Sequence, residues 1–324
     1  MVDILIYSDY VATLNLLMIR FAPSTTGHAH PGTLMAGLLC WLYARSKRLP
    51  FVLRLENIDP DRSKPAYEKA IMDELSWFGL DWDVLVYQSH NRSRHDAALD
   101  ELEKRGLLYP CACSRTRLKS MAIRSPDGGF AYDNHCRMRK LPPGGWRHSK
   151  ESIRIMLPDD PVEIVDNSGI VIRQHPVNDM GDPVALRRDG AIAYHLACVV
   201  DDASMPLVKL IRGRDLIHSA PTQRLIQQLL GFPALAYRHH FLLLDHAGGK
   251  LAKFHGSVSV PELKNHFSAS ALCGLISHWC GLNPSAQPCH PRELVADFEW
   301  SKVRCDDLTI EWLDGHFLIH DQHP

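Results

Sequence analysis

The distribution of apolar and polar residues near the start of the chain predicts a β-α-β unit. Apolar runs from Leu16 to Ala22 and from Phe51 to Asp59 are typical of short buried strands. Between them, from Thr33 to Lys47, apolar side chains recur at helical spacing. A strand, a loop, a helix and a second strand in this order predict two parallel strands joined by a right-handed crossover.

Glycines mark the ends of two further predicted helices. The first begins at Ser63 and Pro65 and ends at Gly79, and the second covers residues 92–105 and is closed by Gly106. Glycine ends a helix readily because it adopts the left-handed conformation without steric cost. Together with the β-α-β unit, these helices predict an α/β fold.

The pattern changes after Tyr109. Residues 109–150 show weak periodicity, many turn residues and clustered cysteines, which predicts an insertion into the α/β framework. Stretches with strand-like and helix-like patterns follow up to residue 258. From residue 259 to residue 324 the chain is predicted to be largely helical, with proline-rich breaks.

Composition narrows the class of protein. The 324 residues are 45% hydrophobic and 23% charged with a net charge of −1, which is typical of a globular protein without a global attraction to nucleic acid. Nine cysteines, an odd number, argue against a disulfide framework and for reduced thiols, so a cytoplasmic location is expected. No apolar run reaches the ~18 residues that a membrane span needs, so no membrane partner is expected.

The first residues are unlike a secretory signal because they lack a basic start and a small-residue cleavage site. A methionine at position 18 stands just before the first motif, so residues 1–17 are a possible non-native or upstream extension segment.

The loop between the first strand and the first helix holds candidate phosphate ligands. His28 and His30 can donate hydrogen bonds to phosphate oxygens, and Gly27 and Gly32 let the backbone approach a ligand closely. Open α/β sheets bind ligands at such loops, where free N–H groups and the helix dipole favour an anion. On these residues alone, a plain surface loop or half of a metal site stays open as an alternative.

A second glycine-flanked loop carries two lysines. Lys250 and Lys253 lie three residues apart between Gly248 and Ser257. Their ammonium groups suit the charge that develops on a transferring phosphate, although a solvated surface loop fits the same residues.

Together, the two loops resemble the two signature motifs of class I aminoacyl-tRNA synthetases. The resemblance is closest to the glutamyl-tRNA synthetases, and within them to the short paralogous family of glutamyl-queuosine tRNA(Asp) synthetases. It rests on segments that occur in the family's order, namely RFAPSTTGHAHPGTLMAG, VLRLENIDPDR, AIAYHLACVVDD, LIRGRDLI and KLAKF, from about Ile19 to about Arg304.

This resemblance implies a Rossmann-type class I catalytic core with a zinc-bearing insertion and a helical C-terminal part. The implied domains are the two halves of the catalytic domain at 18–108 and 151–258, the second with the lysine loop, the zinc-binding insertion at 109–150, and the helical part at 259–324.

The resemblance also implies a pocket for glutamate. Arg20 matches the family arginine that meets a carboxylate of glutamate, and its planar guanidinium suits such a pair. Glu56 is expected to accept hydrogen bonds from the ammonium group of the substrate. Tyr194 is a third contact, although on its pattern alone it fits a core residue equally well. The remaining pocket positions are Phe21, Ala22, Pro23, Ser24 and Arg212.

The resemblance to the same family also implies an ATP site. His28, His30, Gly32 and Lys253 are expected to line the phosphates, with Mg²⁺ accompanying ATP. Catalysis is expected from positioning and electrostatic stabilisation by the two histidines together with Lys250 and Lys253. The sequence departs from the family pattern at three positions, Pro31, Asn57 and Ala252, where isoleucine, aspartate and serine are usual.

Three cysteines in the insertion predict a metal site. Cys111, Cys113 and Cys136 could supply three soft ligands to a tetrahedral zinc ion. The resemblance implies Tyr132 as the fourth ligand, whereas His135 is the chemically commoner choice, and free thiols without metal are a third possibility. No water-activating base lies in the cluster, so one structural Zn²⁺ per chain is expected.

The implied activity is tRNA-independent activation of L-glutamate with ATP, followed by transfer to queuosine in the anticodon stem-loop of tRNA(Asp). The 71 residues after Lys253 are fewer than the anticodon-binding region of full-length glutamyl-tRNA synthetases needs. Three alternatives stay open: a truncated glutamyl-tRNA synthetase charging the 3′ end of tRNA(Glu), a small-molecule nucleotidyltransferase, and a non-catalytic RNA-binding paralogue. A monomer is expected.

Overall fold

A computed structural model describes residues 17–245, 249 and 258–320, and these form two compact units. The first unit takes in the described residues of Met1–Tyr87, Pro206–Asp215 and Arg238–Pro324, and the second takes in Gln88–Met205 and Leu216–Tyr237. The second unit therefore contains the expected insertion at 109–150 together with segments on both sides of it. None of the helices in the described part has both the length and the apolar character that a membrane crossing requires.

Strands and helices are numbered in chain order. The strands are β1 Ile19–Phe21, β2 Phe51–Leu55, β3 Val84–Tyr87, β4 Leu108–Cys111, β5 Ser152–Ile155, β6 Val162–Val165, β7 Val171–Gln174, β8 Val184–Leu186, β9 Leu210–Gly213, β10 Tyr237–His240, β11 Leu243–Leu244, β12 Leu308–Leu313 and β13 His316–His320. The α-helices are α1 Pro31–Ser46, α2 Pro65–Phe78, α3 Arg92–Lys104, α4 Arg115–Met121, α5 Pro176–Asp179, α6 Tyr194–Ala203, α7 Ser219–Leu230, α8 Val260–Leu263 and α9 Ala269–Trp279.

A parallel sheet in the order β1-β2-β3 organises the first unit and confirms the predicted β-α-β unit. Ile19 lies opposite Phe51, and Val52 lies opposite Val84. Every residue of β1 and β2 is buried, as expected for a parallel sheet covered on both faces. The second strand ends at Leu55, earlier than the apolar run suggested.

Helix α1 joins the first two strands and is buried along most of its length. It starts at Pro31, whose ring fixes φ near the helical value and whose missing N–H is not needed in the first turn. The proline that replaces the family's isoleucine is therefore compatible with the helix. Helix α2 ends at Gly79 with φ +96°, which confirms the predicted glycine terminus.

The C-terminal part of the first unit contains a β-hairpin, so the prediction of a largely helical segment is wrong for its last described residues. Strand β12 pairs antiparallel with β13 and parallel with β11. The turn is made by Asp314 and Gly315, which both have positive φ, as a two-residue hairpin turn requires. Helix α9 is the main α-helix of this part, and short 3₁₀ turns at Pro291–Leu294 and Trp300–Lys302 follow it.

The second unit combines the antiparallel sheet β4-β5-β8 with the hairpin β6-β7 and helices α3, α6 and α7. A fully buried carboxylate joins two of these helices. Asp201 of α6 accepts hydrogen bonds from Gln88 over 2.7 Å, from Asn91 over 2.9 Å and from His95 over 2.8 Å. Because a buried charge needs such partners, these contacts stabilise the packing of α3 against α6.

Candidate active site and metal centre

The carboxyl ends of β1 and β2 are joined by backbone hydrogen bonds. The N–H of Glu56 donates to the carbonyl of Pro23 over 3.0 Å, and the N–H of Thr25 donates to the carbonyl of Glu56 over 3.3 Å. Ser24 thereby forms a parallel bridge with Glu56. The expected glutamate-pocket residues of both strands therefore meet at the sheet edge where open α/β folds bind ligands.

A buried arginine orients the carboxylate of Glu56. Nη2 of Arg54 lies 3.1 Å from Oε1 of Glu56, and the Arg54 side chain is fully buried. A buried guanidinium and carboxylate stabilise each other only while both are present. A carboxylate accepts several hydrogen bonds at once, so Glu56 is chemically suited to bind an ammonium group. Sequence reasoning did not identify Arg54, because a single arginine in an apolar strand carries no motif.

The neighbouring departure from the family, Asn57, has a structural reason. Its Nδ2 donates to Oε1 of Glu68 on α2 over 2.8 Å. The usual aspartate would place a second carboxylate against Glu68, and two like charges at this distance repel each other.

Two buried arginines lie on neighbouring segments of the first unit. Arg20 on β1 and Arg212 on β9 are each 6% exposed. Nε of Arg212 donates to Nε2 of His239 over 3.1 Å, so this histidine nitrogen carries no proton. His239 was not identified from the sequence. The other expected pocket residues of this unit are placed on or beside β1, with Phe21 and Pro23 buried and Ala22 half-buried.

Tyr194 is the first residue of α6 and belongs to the second unit. Its side chain is 37% exposed, and its ring lies edge-on to that of His195 at 5.5 Å. The interpretation of Tyr194 as a core residue is therefore wrong.

The loop that carries His28 and His30, called the histidine loop below, is attached to helix α2 by a buried carboxylate. Nδ1 of His28 lies 2.5 Å from Oε1 of Glu74, and the N–H of Ala29 donates to Oε2 of Glu74 over 2.6 Å. No carboxylate is close to these histidines in sequence, so Glu74 was not foreseen. Within the described residues, no group of three potential metal ligands lies at this loop, which leaves the half-metal-site interpretation without support.

His30 caps the N-terminus of α1. Its Nδ1 accepts the N–H of Gly32 over 3.2 Å, so a neutral ring carries its proton on Nε2. A side chain at Gly32 would place its Cβ 3.0 Å from Cε1 of His30, so glycine leaves room for the capping ring. An Nε2–H group at a helix N-terminus is a suitable donor to phosphate. Lys250, Ala252 and Lys253 lie outside the described residues.

The three predicted cysteine ligands meet in the second unit. Their sulfur atoms lie within 4.8 Å of one another, and Sγ of Cys113 is 3.6 Å from Sγ of Cys136. Tetrahedral zinc with bonds of about 2.3 Å places sulfur ligands about 3.8 Å apart, so the cluster could hold such an ion. The hydroxyl oxygen of Tyr132 lies 3.5 Å from Sγ of Cys111, whereas His135 is exposed.

Tyr132 is held in this cluster by one contact to its ring and by contacts to its backbone. The guanidinium of Arg154 lies 3.6 Å from the centre of the Tyr132 ring. On the backbone side, Tyr132 N–H donates to Met180 over 2.9 Å, and a Cβ at Gly181 would lie 2.0 Å from the carbonyl oxygen of Tyr132. Gly181 therefore allows this close approach and also has a φ of +78°.

Burial favours the protonated form of two groups in this cluster. It would also raise the pKa of Cys136, but hydrogen bonds, first of all with Tyr132, outweigh burial and hold that pKa below its usual range. Burial, with a hydrogen bond to Cys136, raises the pKa of Cys113 to about 11. Burial and the contact with Cys111 also raise the pKa of Tyr132 above its usual range. A bound metal ion would displace these protons, so metal binding at this cluster would depend on pH.

The fold and these sites define a class I aminoacyl-tRNA synthetase. The catalytic-domain family described as tRNA synthetases class I (E and Q) matches residues 16–267, and the chain belongs to it. The enzyme is therefore a ligase of this class, as the two signature loops indicated.

Its relatives include two kinds of glutamate enzyme. A Glutamyl-Q tRNA(Asp) synthetase from Symbiobacterium thermophilum is 37% identical over 311 residues, covering 90% of this chain and 95% of the relative. A Glutamate–tRNA ligase from Aquifex aeolicus is 35% identical over 315 residues, covering 92% of this chain but 66% of the ligase.

A solved structure has the same fold. The crystal structure of a glutamate tRNA ligase from Elizabethkingia meningosepticum matches with a TM-score of 0.74 at 23% identity, over 90% of this chain and 66% of that chain. The chain thus spans about two thirds of the length of these ligases. The predicted α/β fold of a class I synthetase is confirmed, whereas the zinc-bearing character of the insertion stays a prediction.

Proposed function

We propose that the enzyme activates L-glutamate with ATP without tRNA and transfers the glutamyl group to queuosine at the wobble position of tRNA(Asp). The observation that carries this proposal is the length of the match. The chain aligns with 95% of a Glutamyl-Q tRNA(Asp) synthetase but with 66% of a Glutamate–tRNA ligase at similar identity.

In the first step, an oxygen of the α-carboxylate of glutamate attacks the α-phosphorus of ATP. The bond to the β-phosphate breaks, pyrophosphate leaves, and glutamyl-adenylate forms. Arg20 and Arg212 pair with carboxylate charge and Glu56 accepts from the ammonium group, which fixes the attacking oxygen in position. The remaining pocket positions surround the substrate, namely Phe21, Ala22, Pro23, Ser24 and Tyr194.

The ATP phosphates lie at the N-terminus of α1 in this proposal. His28, His30 and the backbone of Gly32 meet their oxygens, and Lys250 and Lys253 balance the charge that develops as pyrophosphate leaves. Mg²⁺ enters with ATP and neutralises phosphate charge. In the second step, a hydroxyl of the queuosine cyclopentenediol attacks the activated carbonyl, AMP leaves, and an ester bond forms.

We further propose that Cys111, Cys113, Tyr132 and Cys136 hold one structural Zn²⁺. The sulfur spacing and the position of the Tyr132 hydroxyl support this set, and the exposure of His135 argues against it as the fourth ligand. Such an ion would stabilise the loops of the second unit. We expect the enzyme to act as a monomer in the cytoplasm.

The test has two stages. Purified enzyme is first assayed for glutamate-dependent exchange of pyrophosphate into ATP, without and with tRNA, and we expect exchange in both cases. Labelled glutamate is then offered with tRNA(Asp) whose 3′-terminal adenosine has been removed, with queuosine or with guanosine at the wobble position. Attachment to the queuosine form alone supports the proposal.

The similarity to Glutamate–tRNA ligases favours one other function, charging of the 3′ end of tRNA(Glu). This alternative predicts that labelled glutamate attaches to intact tRNA(Glu) and that removal of its terminal adenosine abolishes the attachment. That result, combined with no attachment to trimmed tRNA(Asp), would replace our proposal.

A further inference from the structure

A hydrogen bond between two buried side chains joins β9 to β10. Nε of Arg212 on β9 donates to Nε2 of His239 on β10 over 3.1 Å. The arginine is 6% exposed and the histidine is 2% exposed. A guanidinium has only donors, so Nε2 of the histidine must offer a lone pair, and a neutral ring then carries its proton on Nδ1. The contact therefore requires a neutral His239 with one defined tautomer.

This contact limits how Arg212 can bind a carboxylate. A guanidinium carries five N–H groups and can hold a carboxylate with two parallel hydrogen bonds, either through Nε and one Nη nitrogen or through both Nη nitrogens. Because the single N–H of Nε is donated to His239, the edge with the two Nη nitrogens is the one from which Arg212 can bind a carboxylate in this way. The hydrogen bond also restrains rotation of the guanidinium plane, since it acts on the nitrogen nearest to the aliphatic part of the side chain.

We propose that His239 is a positioning residue for the substrate: it engages Nε of Arg212 and so presents the two Nη nitrogens of that residue to a carboxylate of L-glutamate. The inference rests on the proposed function, which assigns Arg212 to the glutamate pocket. His239 itself meets no substrate and acts through the orientation of Arg212. A guanidinium that is already oriented loses less conformational entropy when glutamate binds.

Two substitutions separate this role from simple packing. His239→Leu has a similar volume but no acceptor, so it removes the hydrogen bond to Nε of Arg212. His239→Gln keeps an acceptor, because its amide oxygen reaches about as far from the backbone as Nε2 of histidine and can accept from Nε. A positioning role predicts that glutamine preserves what leucine loses. His239→Met, whose thioether is at most a weak acceptor, replaces the leucine variant if that variant does not fold.

The first experiment reads the tautomer directly and does not depend on activity. The full chain is labelled with ¹⁵N-histidine, and the ring nitrogen shifts are recorded by NMR. The signals that disappear in His239→Gln belong to His239. We expect an unprotonated Nε2 and a protonated Nδ1 in the wild-type protein. A protonated Nε2 would overturn the inference, because that nitrogen could not then accept from Arg212.

The second experiment measures glutamate-dependent exchange of pyrophosphate into ATP, with each substrate varied in turn. We expect His239→Leu to raise the KM for glutamate about 10-fold or more while the KM for ATP changes less than about twofold, because the hydrogen bond orients a group for glutamate only. His239→Gln should keep both constants within about threefold of the wild type. In an Arg212→Met background, His239→Leu should cost little further, because the group that His239 orients is absent.

His240→Leu is the matched control. His240 follows His239 on the same strand, is 5% exposed, and donates from Nδ1 to the carbonyl of Phe241 over 2.7 Å. Side chains of consecutive strand residues point to opposite faces, so we expect this variant to lower stability without a selective rise in the KM for glutamate.

Three results would reduce His239 to a structural residue. These are an equal rise in the KM for glutamate in His239→Gln, an equal rise in His240→Leu, and a fully additive loss in the Arg212→Met background. Absence of glutamate-dependent exchange in the wild-type enzyme would overturn the proposed function and with it the role of His239. A protonated Nε2 beside normal exchange would overturn this inference alone.

Discussion

In our proposal, two buried guanidinium groups of the first unit select the amino acid that the enzyme activates. Arg20 and Arg212 are both 6% exposed, and one nitrogen of Arg212 is occupied by His239. A charge that is taken out of water needs a charged partner or several hydrogen bonds. The side-chain carboxylate of glutamate supplies such a partner in our proposal, whereas a neutral amide does not.

We therefore expect glutamine to support pyrophosphate exchange at least about 100-fold less well than glutamate, measured as kcat/KM, because a neutral amide cannot form the charge-assisted hydrogen bonds that a carboxylate forms with a guanidinium. Aspartate should also perform far worse, since its shorter side chain cannot reach. Equal exchange with glutamine would show that Arg20 does not contact the substrate side chain.

The proposed zinc site makes a second prediction for single residues. One zinc ion per chain should co-purify with the enzyme, and Cys111→Ser should lose it. Tyr132→Phe should weaken zinc binding, because it removes the hydroxyl that lies 3.5 Å from Cys111, whereas His135→Ala should leave it unchanged. Zinc is counted by elemental analysis of purified protein. The opposite outcome for the last two variants would make His135 the ligand.

At the scale of elements, we expect Gly181, which follows helix α5, to support the proposed zinc site without contributing a ligand. Gly181→Ala combines a φ of +78° with a Cβ 2.0 Å from the Tyr132 carbonyl oxygen. We expect it to lower the zinc content well below one per chain. Gly190→Ala is the control, because Gly190 has a φ of +83° but no atom within 4 Å of a built Cβ. If both variants lose zinc equally, backbone strain and not the close approach is responsible.

The carboxylate of Asp81 joins α1 to the segment before β3. Asp81 accepts hydrogen bonds from Trp41 over 2.8 Å and from Arg45 over 2.7 Å. Burial alone raises the pKa of Asp81, but these hydrogen bonds outweigh it and hold that pKa below its usual range. A carboxylate of this kind stabilises the fold above its unfolded pKa of about 3.9, and the effect is lost as pH falls through the folded pKa.

Asp81→Asn should therefore lower the free energy of unfolding by about 1 kcal/mol near neutral pH, a modest value because the pairs are partly exposed. The difference from the wild type should shrink as the pH falls below about 4. Urea unfolding at several pH values measures both. Asp306→Asn, at an exposed position outside this network, should change neither, and a pH-independent loss in Asp81→Asn would exclude the electrostatic explanation.

At the scale of the whole molecule, the net charge of −1 is compatible with a small contact area on RNA, where few phosphates need neutralising. We expect an isolated anticodon stem-loop of tRNA(Asp) with queuosine to accept glutamate with a kcat/KM within about 10-fold of the full tRNA. Transfer of labelled glutamate to the two RNAs measures this ratio. A loss of several hundredfold would mean that other parts of the tRNA are required.

Those features of this enzyme that depend on local interactions could be predicted from its sequence. The β-α-β unit follows from hydrophobic periodicity, and the end of α2 follows from Gly79, because both depend on residues within a few positions of each other. The three cysteines were recognised from their chemistry and spacing. The hairpin at Asp314 and Gly315 also had a local signal, an Asp-Gly pair between alternating apolar residues, which the helical interpretation overlooked.

The partners that orient the candidate site were decided by tertiary structure. Glu74 is 46 positions from His28, and His239 is 27 positions from Arg212. No local pattern links such residues, because their contact exists only after α2 packs beside the histidine loop and β10 pairs with β9. The sequence by itself thus determined which groups could do the chemistry, while long-range packing decided which atoms of those groups are hydrogen-bonded within the protein.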